Sequence, residues 1–257
     1  MKKIEKSFYD EAKDWDFSAI KMTKESLTDW DMYKILRQRV NEKSKILDLG
    51  TGGGENVLKH FPEAAEIVGT DLSEAMIETA CKNLKKSGRK NIVFRTMDNF
   101  KMDTPNAYFD AVVARHTCID PIQIFKTLKP GGELIVRGVD MLDCWELKRV
   151  FGRGQAFRDK KPISRIDYEA ILDAGFVDVE LVPIHVREYY KTEEDLLMLL
   201  KKAPILQNIS EDGPEEEYIH YEVESDLFQK YIENRKTLQG ILLIRRYYGI
   251  TAKKPLQ

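Results

Sequence analysis

The chain has 257 residues, 42% hydrophobic and 33% charged, which suits one large domain with a full core and excludes a disordered chain. Lys+Arg 41 against Asp+Glu 43 leave a net charge of -2, which argues against a global nucleic-acid footprint. No apolar run follows the lysines of "MKKIEKSFYD", no stretch reaches the roughly 20 apolar residues of a membrane span, and the three cysteines fit neither a disulfide framework nor a metal spacing. The expectation is a cytoplasmic protein with no resident metal.

Residues 1–44 read as a helical arm carrying Phe8, Tyr9, Trp15, Phe17 and Trp30, either docked on the core or forming a lid over a cleft. "KILDLGTGGGENVLKHF" (Lys45 to Phe61) then runs from an apolar strand through an acid and a glycine loop into a helix. "EIVGTDLS" is the next strand, followed by a helix from about Glu74 to Ser87. "NIVFRTMD", "FDAVVARH" and "ELIVRGVD" are further strands, the last preceded by a helix that stops at Lys-Pro-Gly-Gly. Strands separated by helical patterns mean βαβ units and a parallel sheet. In "SRIDYEAILDAGF", Ser164 is a candidate N-cap with Asp167 behind it, and Gly175 ends the helix. "VDVELVPIHVREYY" follows as a strand. Thr192 caps a helix with acids in its first turn and lysines in its last, an acidic helix covers about Glu222 to Asn234, and "LQGILLIRRYYG" is the final strand.

A glycine turn after a parallel strand lets a ligand approach backbone that a Cβ would block. A dinucleotide is the first candidate, but G-x-G-x-x-G fails on its third glycine. Counted from Gly50 that place is Glu55, and counted from Gly52 it is Val57. Glu55 would also repel a pyrophosphate, and no Gly-Lys-Ser/Thr completes a phosphate loop. S-adenosylmethionine fits better, having an ammonium, a sulfonium and no phosphate. Asp48 could help hold the ammonium end, Gly50, Gly52 and Gly54 would admit the methionine moiety, and Asp71 at the next strand end could accept both ribose hydroxyls.

In order, "LDLGTGGG", "VGTDLSEAMIETA", "FRTMDNF", "FDAVVARH" and "LKPGGELIV" resemble the class I S-adenosylmethionine-dependent methyltransferases, of the ubiquinone-menaquinone methyltransferase-like kind. The likeness is strong from Lys45 to about Val136 and weak in the flanks. It implies an α/β fold: a Rossmann-like, doubly wound, seven-stranded, mostly parallel sheet with a helical insertion between the last two strands. The domain would then span residues 45–257, with residues 191–236 as a helical lid. It further implies Thr51 within the donor loop, Leu72 and Met76 against adenine, and Asp98 and Asn99 at the adenine amino group. Arg115 and His116 would stand beside the methyl donor, with His116 as the candidate general base.

The place where nucleobase amino-methylating relatives carry Asn/Asp-Pro-Pro-aromatic reads "RHTCID" here, and Cys118 lacks the Pro-Cys context of a cytosine-C5 nucleophile. The expected partner is therefore a small-molecule acceptor, with the protein a monomer or homodimer. Tyr9, Trp15, Tyr189 and Tyr190 are candidate acceptor contacts, with Trp145, Phe151 and Phe157 from "CWELKRVFGRGQAF". That region is locally basic (Lys148, Arg149, Arg153, Arg158, Lys160, Lys161), which keeps an RNA methyltransferase as an alternative. A non-catalytic S-adenosylmethionine-binding protein is the other.

Overall fold

The run "KILDL" is buried on both faces, as an inner strand of a parallel sheet must be, and forms β2 (Lys45–Leu49) near the middle of the molecule. The computed structural model describes residues 17–210 and 222–256. Within them, β3 (Glu66–Asp71) and β4 (Ile92–Thr96) lie in parallel on one side of β2, and β5 (Phe109–Arg115) and β6 (Leu128–Val139) on the other. The long strands β7 (Val177–Tyr190) and β9 (Gly240–Lys253) complete that second side as antiparallel neighbours, giving the order β1-β7-β9-β6-β5-β2-β3-β4. The chain winds outward from β2 and then crosses back to β5, so the strand order reverses between β2 and β5. Ligands of open α/β sheets bind at the carboxyl ends of strands at such a point.

The described residues hold nine strands rather than the expected seven. The additions are β1 (Met22–Ser26), paired antiparallel to the outer edge of β7, and the two-residue β8 (Lys236–Thr237) beside β9. The leading segment is therefore not purely helical: within residues 17–44 it contributes an edge strand and α1 (Met32–Arg39), whose N-cap Asp31 accepts from the Lys34 amide. Charged Lys24 and Glu25 on β1 suit an exposed edge, where apolar side chains would invite further pairing. Tyr9 and Trp15 lie outside the described residues.

Two apolar cores sandwich the sheet. α1, α2 (Glu55–His60) and α3 (Glu74–Ser87) pack Met32, Leu36, Val57, Ile77 and Ala80 on the face of Ile46, Ala111, Val113 and Ile135. α4 (Pro121–Thr127) and α6 (Ile163–Asp173) pack Ile124 and Ile171 on the opposite face, against Leu47, Val112, Leu134 and Ile250. A third core joins α5 (Trp145–Phe151) to the insertion between β7 and β9. That insertion holds α7 (Glu193–Lys202), a single 3-10 turn and α8 (Ser225–Arg235), with Leu196, Leu200, Phe228 and Tyr231 buried. α7 starts at Thr192, which makes a reciprocal capping box with Asp195. Ser164 does not cap α6. That helix begins after Pro162, and the Ser164 hydroxyl instead reaches Asp140 at 3.3 Å, inside the first turn.

Candidate functional site

At the end of β2 the backbone turns left-handed three times, at Gly50 (φ 71°), Gly52 (φ 56°) and Gly54 (φ 78°), a region open to glycine at little cost. Thr51 N–H donates to Thr70 O at 2.8 Å and Gly54 N–H to Thr51 O at 3.1 Å, folding the turn back on β3. The three glycines have different reasons to be there. A Cβ at Gly50 would come within 2.6 Å of Thr117, and one at Gly54 within 2.7 Å of the buried Phe94 ring, whereas one at Gly52 would meet nothing within 4 Å. Gly50 and Gly54 thus serve packing as well as backbone conformation. Gly52 faces open space.

Asp71, at the end of β3, is tied to this loop. Its Oδ2 accepts from Gly52 N–H at 2.9 Å and its Oδ1 from Ser73 N–H at 3.0 Å. Both bonds fix the carboxylate's orientation. Ser73 caps α3 by accepting from the Met76 amide. Leu72 is half-buried, while Met76 is packed into the interior. After β4, Asp98 accepts from Phe100 N–H at 2.9 Å in a local turn. The Asn99 amide spans to the loop after β5, donating to Thr117 Oγ1 at 3.2 Å and Cys118 O at 2.9 Å. These bonds join the two sides of the cleft.

Asp48 lies one residue before the end of β2 with 6% of its surface exposed. Burial pushes its carboxyl up to about 7, against the smaller downward pulls of the Thr51 side chain and Arg115. It has no ion-pair partner among the described residues, which is the environment of an acid awaiting a cation. Tyr33 of α1 approaches from the same side. Its hydroxyl is buried without a hydrogen-bond partner, and burial pushes its pKa up to about 12. The ring stacks on His60 with centroids 4.6 Å apart.

His116 follows β5 at φ 54°, itself a left-handed conformation. Its Nε2 faces the Arg137 guanidinium at hydrogen-bond distance, and its ring stacks on Tyr247, 5.2 Å between centroids and 10° from parallel. Burial, then Arg115 and Arg137, hold its pKa well below the usual imidazole range. A guanidinium can only donate, so the Nε2 lone pair is engaged and Nδ1 carries the ring proton. The expected general base is therefore a neutral ring whose basic nitrogen is already taken.

The acceptor contacts expected on β7 are not brought to this cleft. Tyr190 is fully buried in the core beneath the insertion, with its hydroxyl donating to Glu188 at 2.7 Å. Tyr189 leaves the opposite face of β7 and reaches Glu25 of β1 at 3.3 Å. Phe151 belongs to the same core, and the Trp145 ring lies 5.3 Å from that of Phe157. Two cations of the basic segment, Lys148 and Arg153, are internal, whereas Arg149, Arg158 and Lys160 are exposed. Lys148 is buried and donates to Met141 O and Gln155 O, both at 2.8 Å. Arg153, also buried, holds Leu206 O and Glu224, and Lys161 pairs with Glu169. The Arg153 contacts pin the insertion to the domain.

Arg137, Tyr247 and Tyr33 were not singled out from the sequence. Arg137 had a signal there, a cation inside the apolar strand "ELIVRGVD". The other two are aromatic residues whose position only the packing reveals.

Residues 40–162 match a family model described as a methyltransferase domain. A Coxiella burnetii ubiquinone biosynthesis O-methyltransferase is 32% identical over 142 residues, covering 49% of this chain and 57% of that one. A protein-L-isoaspartate O-methyltransferase of Syntrophobacter fumaroxidans is 31% identical over 102 residues, 38% of this chain and 40% of its own length. The chain thus spans about half the length of the curated relatives it matches. Among solved structures, the Bacillus subtilis YcgJ protein superposes with TM-score 0.55 at 15% identity, over 87% of this chain and 97% of that one. Haemonchus contortus phosphoethanolamine N-methyltransferase 2, solved with S-adenosyl-L-methionine, gives TM-score 0.51 at 17% identity, over 88% of this chain and 53% of that one. These two likenesses establish the fold. Residues 40–162 thus match a methyltransferase domain, in a fold shared with these structures.

Proposed function

We propose that this protein binds S-adenosylmethionine at the β2–β5 switch point and transfers its methyl group to a small molecule. The observation that carries the reading is Asp48: a buried acid without a cation, next to a glycine loop whose Gly52 opens on free space. S-adenosylmethionine supplies an activated methyl on a sulfonium, so the chain's tasks are to align the acceptor and exclude water. Asp48 would take the ammonium end, with Gly50, Thr51, Gly52 and Gly54 along the methionine moiety. The locked carboxylate of Asp71 would receive the ribose. Leu72 offers the half-exposed apolar surface for adenine better than buried Met76 does, with Asp98 and Asn99 at its edge. Arg115 stands at the mouth, and His116, held by Arg137, acts as a positioning residue rather than as a base.

The small-molecule acceptor is supported by the internal use of Lys148 and Arg153, and by the ubiquinone biosynthesis O-methyltransferase relative. The insertion over residues 191–236 would form one wall of the acceptor site. Among the described residues no helix is long and apolar enough to cross a membrane, and we place the protein in the cytoplasm. Isothermal titration tests the donor reading: S-adenosylmethionine and S-adenosylhomocysteine should bind at micromolar level, NAD and ATP should not. Binding of NAD in place of S-adenosylhomocysteine would overturn it.

A further inference from the structure

Arg115 of β5 and Arg137 of β6 are register partners on parallel strands, so their side chains leave the same face of the sheet. Continuing the register, that face also carries Asp48 on β2 and Arg245 and Tyr247 on β9. Arg245 shows how this protein normally treats a buried guanidinium. It meets Asp143 at 2.9 Å and Glu188 at 3.5 Å, and their charges, against burial, raise its pKa well above the usual range. Arg137, on the adjoining strand, has no carboxylate at ion-pair distance among the described residues. Its contacts are the His116 ring nitrogen and the face of Tyr247, 3.9 Å from the centroid. Its pKa is lowered by burial and by the repulsion of Arg115 and Arg245. Arg115 has no ion pair among the described residues either. Two like charges side by side across neighbouring strands are destabilising, and a buried charge without a counter-ion more so. The unpartnered, buried hydroxyl of Tyr33 lies within electrostatic reach of both arginines. Two guanidiniums without a carboxylate at ion-pair distance, and one hydroxyl without a hydrogen-bond partner, among the described residues thus gather beside the glycine loop.

We propose that Arg137, with Arg115 and Tyr33, forms an oxyanion subsite, and that the methyl acceptor is a small molecule bearing a carboxylate or phosphate that is held there. This rests on the donor reading above and adds the acceptor's charge to it. Arg137 is assigned to the acceptor because it lies one strand farther from the glycine loop than Arg115 and is braced by Tyr247 of β9, on the side away from β3 and Asp71. Guanidinium groups suit the task, since their planar donors match carboxylate and phosphate oxygens.

The same anion chemistry could come from the donor's own carboxylate, and the test separates the two. Full-length protein saturated with S-adenosylhomocysteine is titrated with benzoate and with inorganic phosphate, for the wild type, Arg137→Gln and Arg137→Lys. The expected result is that one of the anions binds the wild-type complex and that Arg137→Gln weakens it at least about tenfold, with Arg137→Lys retaining part of it. S-adenosylhomocysteine itself should bind Arg137→Gln within about threefold of wild type. A tenfold loss of S-adenosylhomocysteine affinity in that variant would assign the arginine to the donor's carboxylate and overturn the proposal. So would the failure of both anions to bind the wild-type complex, a measurement that needs no variant to fold. Failure of S-adenosylhomocysteine to bind the wild type would instead remove the donor reading on which the subsite rests.

Discussion

Asp48 carries a measurable consequence at the scale of one residue. Its carboxyl is raised from 3.8 to about 7 in the folded chain. Between those values the folded state keeps a proton that the unfolded state has released, so this group's contribution to stability falls as pH rises through that window. Asp48→Asn should therefore melt close to wild type at pH about 4 and above it at pH about 8, by thermal denaturation without ligand. Binding reverses the preference, because an ammonium favours the ionised carboxylate. S-adenosylhomocysteine affinity should strengthen from pH about 6 to about 8 in the wild type and lose that slope in Asp48→Asn. The same slope in both proteins would detach Asp48 from the donor's ammonium. Asp71 acts differently, since its carboxylate also organises the loop through the Gly52 and Ser73 amides. Asp71→Ala should weaken donor binding by about 1–3 kcal/mol in titration calorimetry; unchanged affinity would move the ribose elsewhere.

At the scale of the element, the glycine loop divides into a packing half and a ligand half. Gly54→Val would drive a branched side chain into Phe94 and the Ala80 methyl at a left-handed φ. A loss of about 2 kcal/mol or more in denaturant unfolding is expected from that overpacking. Gly52→Val meets no neighbour, so its cost should be confined to the left-handed backbone, about 1–2 kcal/mol. The same variant should lose donor binding by more than about tenfold, because its side chain occupies the open space over the loop. Normal binding by Gly52→Val would show that this space is not used. The element after β5 follows similar logic: the Asn99 amide holds the Thr117–Cys118 turn against the loop after β4, and so sets the width of the cleft.

Across the whole molecule, the leading segment is built into the sheet. β1 pairs along five residues of β7, and the Trp30 indole sits over Gly249 of β9, where no side chain would leave it room. Such a strand belongs to the cooperative core rather than to the locally opening parts of a fold. Amide exchange in residues 22–26 is therefore expected to be the same with and without S-adenosylhomocysteine, while amides of the glycine loop slow on binding. A large donor-dependent slowing in β1 would instead make this segment a moving cover. The ion pairs from Lys24 through Glu188 and Arg245 to Asp143 join β1, β7 and β9 to the turn before α5. Arg137 and Arg115 lie outside that chain of charges, with no carboxylate at ion-pair distance among the described residues.

Local rules were sufficient for much of this protein. Periodicity and caps gave α3 and β7 at their observed bounds, and the Thr192 cap and the helix stop at Gly175, because those features depend on neighbours a few residues away. The residues proposed to hold the donor could be picked out for a similar reason: an acid, a glycine turn and a second acid at consecutive strand ends are a local pattern. Tertiary structure decided the rest. It turned part of the arm into an edge strand, since strand pairing with β7 is a contact across more than 150 residues of chain. It buried Tyr190, Lys148 and Arg153 away from the cleft, because burial depends on what packs above a side chain and not on its type. It also set Arg137 beside Arg115 with no carboxylate at ion-pair distance among the described residues, an arrangement that exists only through the register of two strands.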